Sequence, residues 1–244
     1  MLAHNSTGTF YAVSIAVARR SVRTADRSGV DSKWTASGRE LSRFVMKALM
    51  PVILPAVAAG RKSTGADKWD EMWDGVLHMP PMPNRYHQDL EWELHTYLRQ
   101  VWASRCGWRV HHGINVASPG NWPNDYRIPD IVLLSPERFS IDRIEYFEGG
   151  PNVAIEIHSP GDEAYEKLEF YAAVNVQEVW IIDRDTRVPE VYLSRDKSYE
   201  RLKLSATGWL ESPATGIEMK AGDANKLDIR IRGEEATMRH LPEQ

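Results

Sequence analysis

The sequence predicts an α/β fold in which helices flank a mixed central β-sheet. Two short apolar runs, at 131–134 and 153–157, are typical of buried strands, and a third run follows at 178–183. Between the second and third runs, residues 161–172 place apolar side chains at helical spacing. The order strand, strand, helix, strand indicates a sheet covered by helices.

The N-terminal part of the chain predicts an extension, a hairpin and a helix. Residues 1–68 are basic, and we expect them to lie outside the fold, poorly ordered or partly helical. Residues 69–79 predict two short strands, because Asp-Gly at 74–75 favours a tight turn. Apolar residues at helical spacing predict a helix over 86–103, and 108–116 is expected to form one strand.

The C-terminal part predicts further strands and a tail. A hairpin is expected over 189–204, and a last edge strand over 219–231. The final residues are polar. The predicted domain therefore covers 69–232, and residues 233–244 are expected to be a polar tail.

Composition and charge restrict the class of protein. The 244 residues are 42% hydrophobic and 26% charged, which is typical of a soluble globular protein. The single cysteine, Cys106, excludes an internal disulfide and fits a reducing, cytoplasmic compartment. No apolar run has the length of a membrane span. Residues 69–244 hold 19 Lys and Arg against 30 Asp and Glu, which argues against broad non-specific binding to duplex DNA.

Two carboxylates stand out because they belong to buried strands. Asp130 directly precedes the first apolar run, and Glu156 lies inside the second. A buried carboxylate is unfavourable unless a cation or hydrogen bonds compensate it, so a shared Mg²⁺ or Mn²⁺ ion is one explanation. The alternative is that Asp130 caps a turn and Glu156 forms a metal-free ion pair with Lys167.

Several short motifs occur in the order found in one known family. They are Pro129-Asp130, Glu156-x-x-Ser159-Pro160, Lys167-x-x-x-Tyr171 and Glu178-x-Trp180. With the 69–79 segment and His87 upstream, this order resembles the Uma2 family (DUF820) of the PD-(D/E)XK nuclease-like superfamily. The resemblance covers roughly residues 69–230 and implies a restriction endonuclease-like core.

The resemblance also implies roles for individual residues. Asp130, Glu156 and the backbone carbonyl of Ile157 would bind Mg²⁺ or Mn²⁺, while Lys167 and His87 would complete the catalytic set. His158 occupies the position where the superfamily usually has its lysine, and the family moves that lysine to the next helix, where Lys167 stands.

Three other polar residues keep open interpretations. His158 is a metal ligand, a general base or an inert hydrogen-bonded residue, and the last is the default. Glu91 lies one helical turn after His87 and is a weaker candidate for the site. Glu163 takes a position where an aspartate is usual in the family.

Two functions follow as expectations. The first is a Mg²⁺-dependent endonuclease that hydrolyses DNA phosphodiester bonds, and analogy with the superfamily adds a homodimer. The second is a catalytically inactive nuclease-like module that binds nucleic acid or a protein partner. Signatures of serine hydrolases, nucleotide triphosphatases and zinc proteases do not occur in the sequence.

Overall fold

A computed structural model describes residues 49–50 and 55–243 of the chain. Of the extension predicted over 1–68, residues 1–48 and 51–54 lie outside the described residues. Residues 49–50 form a strand that pairs within a sheet, and residues 55–64 form a helix. No helix in the described part of the chain is long and apolar enough to cross a membrane.

Four α-helices and one π-helical segment are present in the described residues. The α-helices are α1 (Pro55–Thr64), α2 (Arg85–Tyr97), α3 (Ser104–Cys106) and α4 (Leu168–Ala173). The π-helical turn Leu98–Ala103 continues α2 into α3, so the predicted helix over 86–103 changes its hydrogen-bond pattern near its end. Short 3₁₀ turns cover Ala66–Trp69, Pro136–Ile141 and Asp223–Asn225.

The strands form three sheets. The first sheet has the order β1-β3-β2-β6-β5-β8, with β1 (Leu49–Met50), β2 (Glu71–Trp73), β3 (Val76–His78), β5 (Asn115–Ala117), β6 (Tyr126–Arg127) and β8 (Tyr146–Glu148). The central sheet has the order β12-β11-β10-β9-β7-β4, with β4 (Arg109–His112), β7 (Ile131–Leu134), β9 (Val153–His158), β10 (Glu178–Asp183), β11 (Pro189–Arg195) and β12 (Ser198–Arg201). The third has the order β13-β14-β15-β16, with β13 (Leu210–Glu211), β14 (Ile217–Ala221), β15 (Leu227–Ile231) and β16 (Glu234–Leu241).

The central sheet is mixed, as predicted. Strands β9 and β10 are parallel, because α4 carries the chain back across the sheet between them, and the other neighbours are antiparallel. Helices lie against both faces, which confirms the predicted α/β class. The strands are apolar on both sides because two separate hydrophobic clusters cover the two faces.

Successive side chains of β9 point to opposite faces of the sheet, so they pack in different hydrophobic clusters. Ile155 and Ile157 pack with Leu90 and Leu94 of α2, whereas Ala154 packs on the opposite face with α4. Glu156 shares the face of Ala154. Its carboxylate therefore points toward α4 and the residues just before it.

Helix α2 begins where its sequence favours a cap. The side chain of Asn84 accepts a hydrogen bond from the backbone N–H of His87 at 3.0 Å. His87, Leu90, Glu91 and Leu94 follow at helical spacing, and all four are buried. A histidine and a glutamate thus lie on the stripe that faces the central sheet.

Two predicted elements differ from the structure. The single strand expected over 108–116 is divided at Gly113, whose φ of 59° turns the chain, so that β4 joins the central sheet and β5 the first sheet. The edge strand expected over 219–231 is instead the pair β14 and β15.

The polar tail expected over 233–244 contains strand β16, which pairs with β15. Its sequence is polar because it is an edge strand, and only Thr237 and Leu241 along it are buried.

Candidate active site

Asp130 lies at the start of β7, where three elements meet. Its Oδ2 atom accepts a hydrogen bond from the backbone N–H of Ile157 on β9 at 2.6 Å. Its Oδ1 atom accepts from Nε2 of His87 on α2 at 3.0 Å. Asp130 therefore connects the central sheet to the buried stripe of α2.

His87, Glu91 and Asp130 form a buried cluster. Each residue offers one ligand atom, and the three atoms lie within 4.8 Å of one another. Nε2 of His87 is 3.8 Å from Oε2 of Glu91, and Oε1 of Glu91 accepts from Nδ1 of His112 at 2.7 Å. Glu91, the weaker candidate in the sequence, is thus at the centre of this cluster.

The ionisation of this cluster is set by burial and by mutual attraction. Burial alone lowers the pKa of His87, but the charge and hydrogen bond of Asp130, helped by Glu91 and Glu156, outweigh it and raise the pKa above 6.5. Burial pushes the pKa of Asp130 up, but His87, the N–H of Ile157 and Lys167 bring it below its usual value. Burial and Asp130 together raise the pKa of Glu91.

Glu156, Lys167 and Tyr171 form a second cluster on the α4 side of β9. Nζ of Lys167 donates to Oε2 of Glu156 at 3.0 Å, and the hydroxyl of Tyr171 donates to Oε1. Lys167 lies directly before α4, and Tyr171 follows one helical turn later, so both reach the same carboxylate. The structure therefore brings Lys167 to Glu156 across the turn that joins β9 to α4.

Glu71 completes the second cluster, and the sequence gives it no role. It lies on β2 in the first sheet, with 3% of its surface exposed, and its Oε1 atom is 2.8 Å from Nζ of Lys167. The indole N–H of Trp73 and the backbone N–H of Ile128 donate to its two oxygens. A carboxylate among the apolar residues of a short strand was the available signal, but its partners are far away in sequence.

The charges of the second cluster do not balance. One lysine faces Glu71 and Glu156, so its charge is shared between two carboxylates. Burial raises the pKa of Glu156 to about 8, because the attraction of Lys167 is opposed by Asp130 and Glu71. Burial by itself lowers the pKa of Lys167, but Glu156 and Glu71 raise it overall, so the ammonium stays protonated.

His158 and Glu163 lie outside both clusters. His158 is 3.6 Å from Asp162 and 3.5 Å from Asp183, and its ring contacts Tyr165 edge-on. Glu163 pairs with Nδ1 of His78 at 3.0 Å. His158 therefore lies at the last position of β9, outside the two clusters that contain Asp130 and Glu156.

The donor set of the first cluster fits a divalent cation. One imidazole nitrogen and two carboxylate oxygens, from two buried residues and the partly buried Asp130, are ligands that Mn²⁺ and related ions accept. The two clusters together hold Glu71, Glu91, Asp130 and Glu156 against Lys167 and His87. This excess of buried negative charge is of the sign that a cation would neutralise.

A cavity of about 720 Å³ opens beside the first cluster. Glu91 and His112 form part of its wall, and Trp92, with 69% of its surface exposed, stands at its edge. A large ligand can therefore approach Glu91 without displacing the core.

The mixed sheet carries Asp130 directly before β7 and Glu156 within the neighbouring β9, with Lys167 directly before the helix that follows. The sequence profile of the Uma2 family, described as "putative restriction endonuclease", matches residues 64–222. The chain therefore belongs to the Uma2 family. This confirms the resemblance carried by the motifs.

One solved structure that resembles this chain is a "putative nuclease belonging to DUF820" from Anabaena variabilis. The two share 19% sequence identity with a TM-score of 0.49, over 60% of this chain and 82% of the other. No match was found among curated protein sequences.

Proposed function

We propose that this protein is a metal-dependent endonuclease that hydrolyses phosphodiester bonds of DNA. The observation that carries the proposal is the excess of buried carboxylates at the junction of α2, β7 and β9. Glu71, Glu91 and Glu156 are buried, and the side chain of Asp130 is 13% exposed. The basic groups that face these four acids are Lys167, His87 and the partly exposed His112, so a cation would be favourable there. Membership of the Uma2 family supports the same class of reaction.

Two sets of ligands could hold the cation, and Asp130 belongs to both. The structure favours a set in which His87 and Glu91 join Asp130. The resemblance favours Glu156 and the carbonyl of Ile157, and both stay predictions. A bound Mg²⁺ or Mn²⁺ ion would polarise a phosphoryl oxygen and make water a better nucleophile.

The side chains around this site have separate tasks. Lys167, held between Glu71 and Glu156, keeps a positive charge at a fixed point where a phosphoryl group can accumulate negative charge. Tyr171 fixes the orientation of Glu156 by donating to one of its oxygens. Where Glu156 and the carbonyl of Ile157 hold the cation, His87, oriented by Asp130 and by Ser159 at 3.4 Å, can hold or release a proton at Nε2.

A second candidate function is a nuclease-like module that only binds. The observation in its favour is that both oxygens of Glu156 are already engaged by Lys167 and Tyr171. The acidic charge of residues 69–244 points the same way. A homodimer also stays a prediction, which analytical ultracentrifugation would test.

Calorimetric titration with Mn²⁺ tests the metal site and separates the two ligand sets. The full-length protein is compared with Asp130→Asn, Glu91→Gln and Glu156→Gln, and with Glu200→Gln as a control at an exposed carboxylate. We expect Asp130→Asn to abolish binding and Glu200→Gln to leave it unchanged. If Glu91→Gln loses Mn²⁺ binding and Glu156→Gln does not, the ligands are His87, Glu91 and Asp130. The opposite result identifies the set that contains Glu156.

Incubation of the same proteins with supercoiled plasmid and Mg²⁺ tests the reaction. Nicking by the wild type, absent in Asp130→Asn and in Lys167→Met, is the expected result. Metal binding without nicking would favour the module that only binds. Unchanged Mn²⁺ affinity in Asp130→Asn would contradict the metal site itself.

A further inference from the structure

A buried arginine, Arg187, leaves two of its guanidinium nitrogens without a hydrogen bond in the described part of the chain. Arg187 lies in the turn between β10 and β11, and only 6% of its surface is exposed. Within residues 55–243, its Nε and Nη1 atoms are buried and make no hydrogen bond. An unpaired guanidinium is costly to bury, and arginine offers its N–H groups in a fork that fits a phosphate or carboxylate.

The carboxylates near Arg187 are occupied by other groups. Asp183 accepts from the backbone N–H groups of Asp185 and Thr186, at 3.0 and 2.7 Å. Asp185 receives two hydrogen bonds from Arg184, both at 2.8 Å. Asp89 pairs with Arg85 at 3.2 Å. The charges of these carboxylates favour the protonated guanidinium of Arg187, but their hydrogen bonds go to other groups.

The backbone holds Arg187 in this position against its preference. Its φ of 59° lies in the left-handed region, which a side chain with a Cβ atom rarely adopts. The turn is nevertheless fixed, because the N–H of Arg187 donates to the carbonyl of Asp183 at 2.9 Å. Strain of this kind is found at ligand-binding positions, where the fold holds a residue for use.

The turn that carries Arg187 adjoins the end of β9, the strand that holds Glu156. The charge of Asp89, two residues after His87 on α2, acts on Arg187. On the other side, the N–H of Arg184 donates to the carbonyl of His158 at the end of β9. The backbone of this turn is thus hydrogen-bonded to β9 two residues after Glu156.

We propose that Arg187 is an anion-binding residue that receives a phosphate group of the nucleic-acid strand. The inference rests on the proposed function and deepens it, since it names how the substrate is held. A phosphate oxygen would supply an acceptor for the guanidinium at the small part of the side chain that is exposed. The contact is to the backbone and reads no base sequence.

Replacing Arg187 with methionine is expected to weaken binding of the oligonucleotide and to stabilise the ligand-free protein. The affinity of full-length protein for a short oligonucleotide, measured by fluorescence anisotropy in EDTA so that no cleavage occurs, should fall about tenfold. The salt dependence of binding to duplex should weaken by ~0.9 in its logarithmic slope. The ligand-free protein should melt at a higher temperature, because an unpaired buried charge has been removed.

Arg195→Met is the matched control. Arg195 lies at the other end of β11 and is exposed, so neither affinity nor melting temperature should change. An oligonucleotide with neutral methylphosphonate linkages should bind wild type no better than Arg187→Met binds the charged strand. A lower melting temperature in Arg187→Met would show that the arginine supports the fold, and would overturn the inference.

Further outcomes separate this inference from the proposed function. If Arg187→Met binds the oligonucleotide as tightly as the wild type, the inference is wrong, while metal-dependent nicking can still stand. If wild type binds no oligonucleotide, yet inorganic phosphate raises its melting temperature and not that of Arg187→Met, the ligand is a free phosphate. That result would overturn the assignment to a nucleic-acid strand.

Discussion

Glu156→Gln is expected to remove a loss of stability that the wild type suffers as the pH rises. The pKa of Glu156 is raised from 4.5 to about 8 by burial, with Asp130 and Glu71 opposing the attraction of Lys167. The stability that comes from the protonated carboxyl is fully present below pH 4.5, and it is lost as the pH rises through about 8.

The size of the effect follows from the shift in pKa. Each pKa unit corresponds to about 1.4 kcal/mol, so the full shift of Glu156 is worth ~5 kcal/mol. At pH 7 the unfolded chain already binds fewer protons than the folded protein, and roughly 3 kcal/mol of the loss has occurred. Glutamine cannot ionise, and its single oxygen can accept from either Lys167 or Tyr171.

Urea denaturation over a range of pH measures this difference. In the presence of a chelator, the free energy of unfolding of Glu156→Gln minus that of the wild type should increase from pH 5 to about pH 8 and then level off. Glu200→Gln, at an exposed carboxylate, should show no such trend. A constant difference for Glu156→Gln would refute the reasoning, because it would mean that Lys167 keeps Glu156 ionised at every pH.

Three further predictions concern single residues. Lys167→Met should lose about 3–5 kcal/mol in the free energy of urea unfolding at neutral pH, because it leaves Glu71 and Glu156 buried without their cation; a loss below 1 kcal/mol would contradict the pairing. NMR titration of His87 should give a pKa above 6.5, and Asp130→Asn should lower it; the associated stability is present at low pH and lost as the pH rises through that value. Gly150→Ala should lower the melting temperature, because the added Cβ would lie 2.5 Å from the backbone nitrogen of Val176; an unchanged value would show that the backbone yields there.

The elements that carry the candidate site can be predicted from local patterns. Strands β7 and β9 are continuous apolar runs, and α2 shows a clear helical period, so the positions of Asp130, Glu156 and His87 follow from the sequence. The split of 108–116 at Gly113 is harder to predict, because glycine is compatible with both a strand and a turn.

The partners of these residues cannot be predicted from local patterns. Glu71 reaches Lys167 across 96 positions of sequence, and Glu91 meets His112 because β4 happens to run beside α2. Arg187 looks like an ordinary polar turn residue, and only the packing shows that it is buried. Such contacts depend on which sheets and helices meet, and a single sequence carries no periodic signal for that.

Glu71 connects the first sheet to Lys167 in the candidate active site of the central sheet. Its Oε1 atom accepts both from Lys167 and from the backbone amide of Ile128, just before β7. Exchange of that amide proton with deuterated solvent requires the hydrogen bond to open, and opening also separates Glu71 from Lys167. The exchange rate at Ile128 therefore reports how often the hairpin detaches from the site, with neither metal nor substrate present.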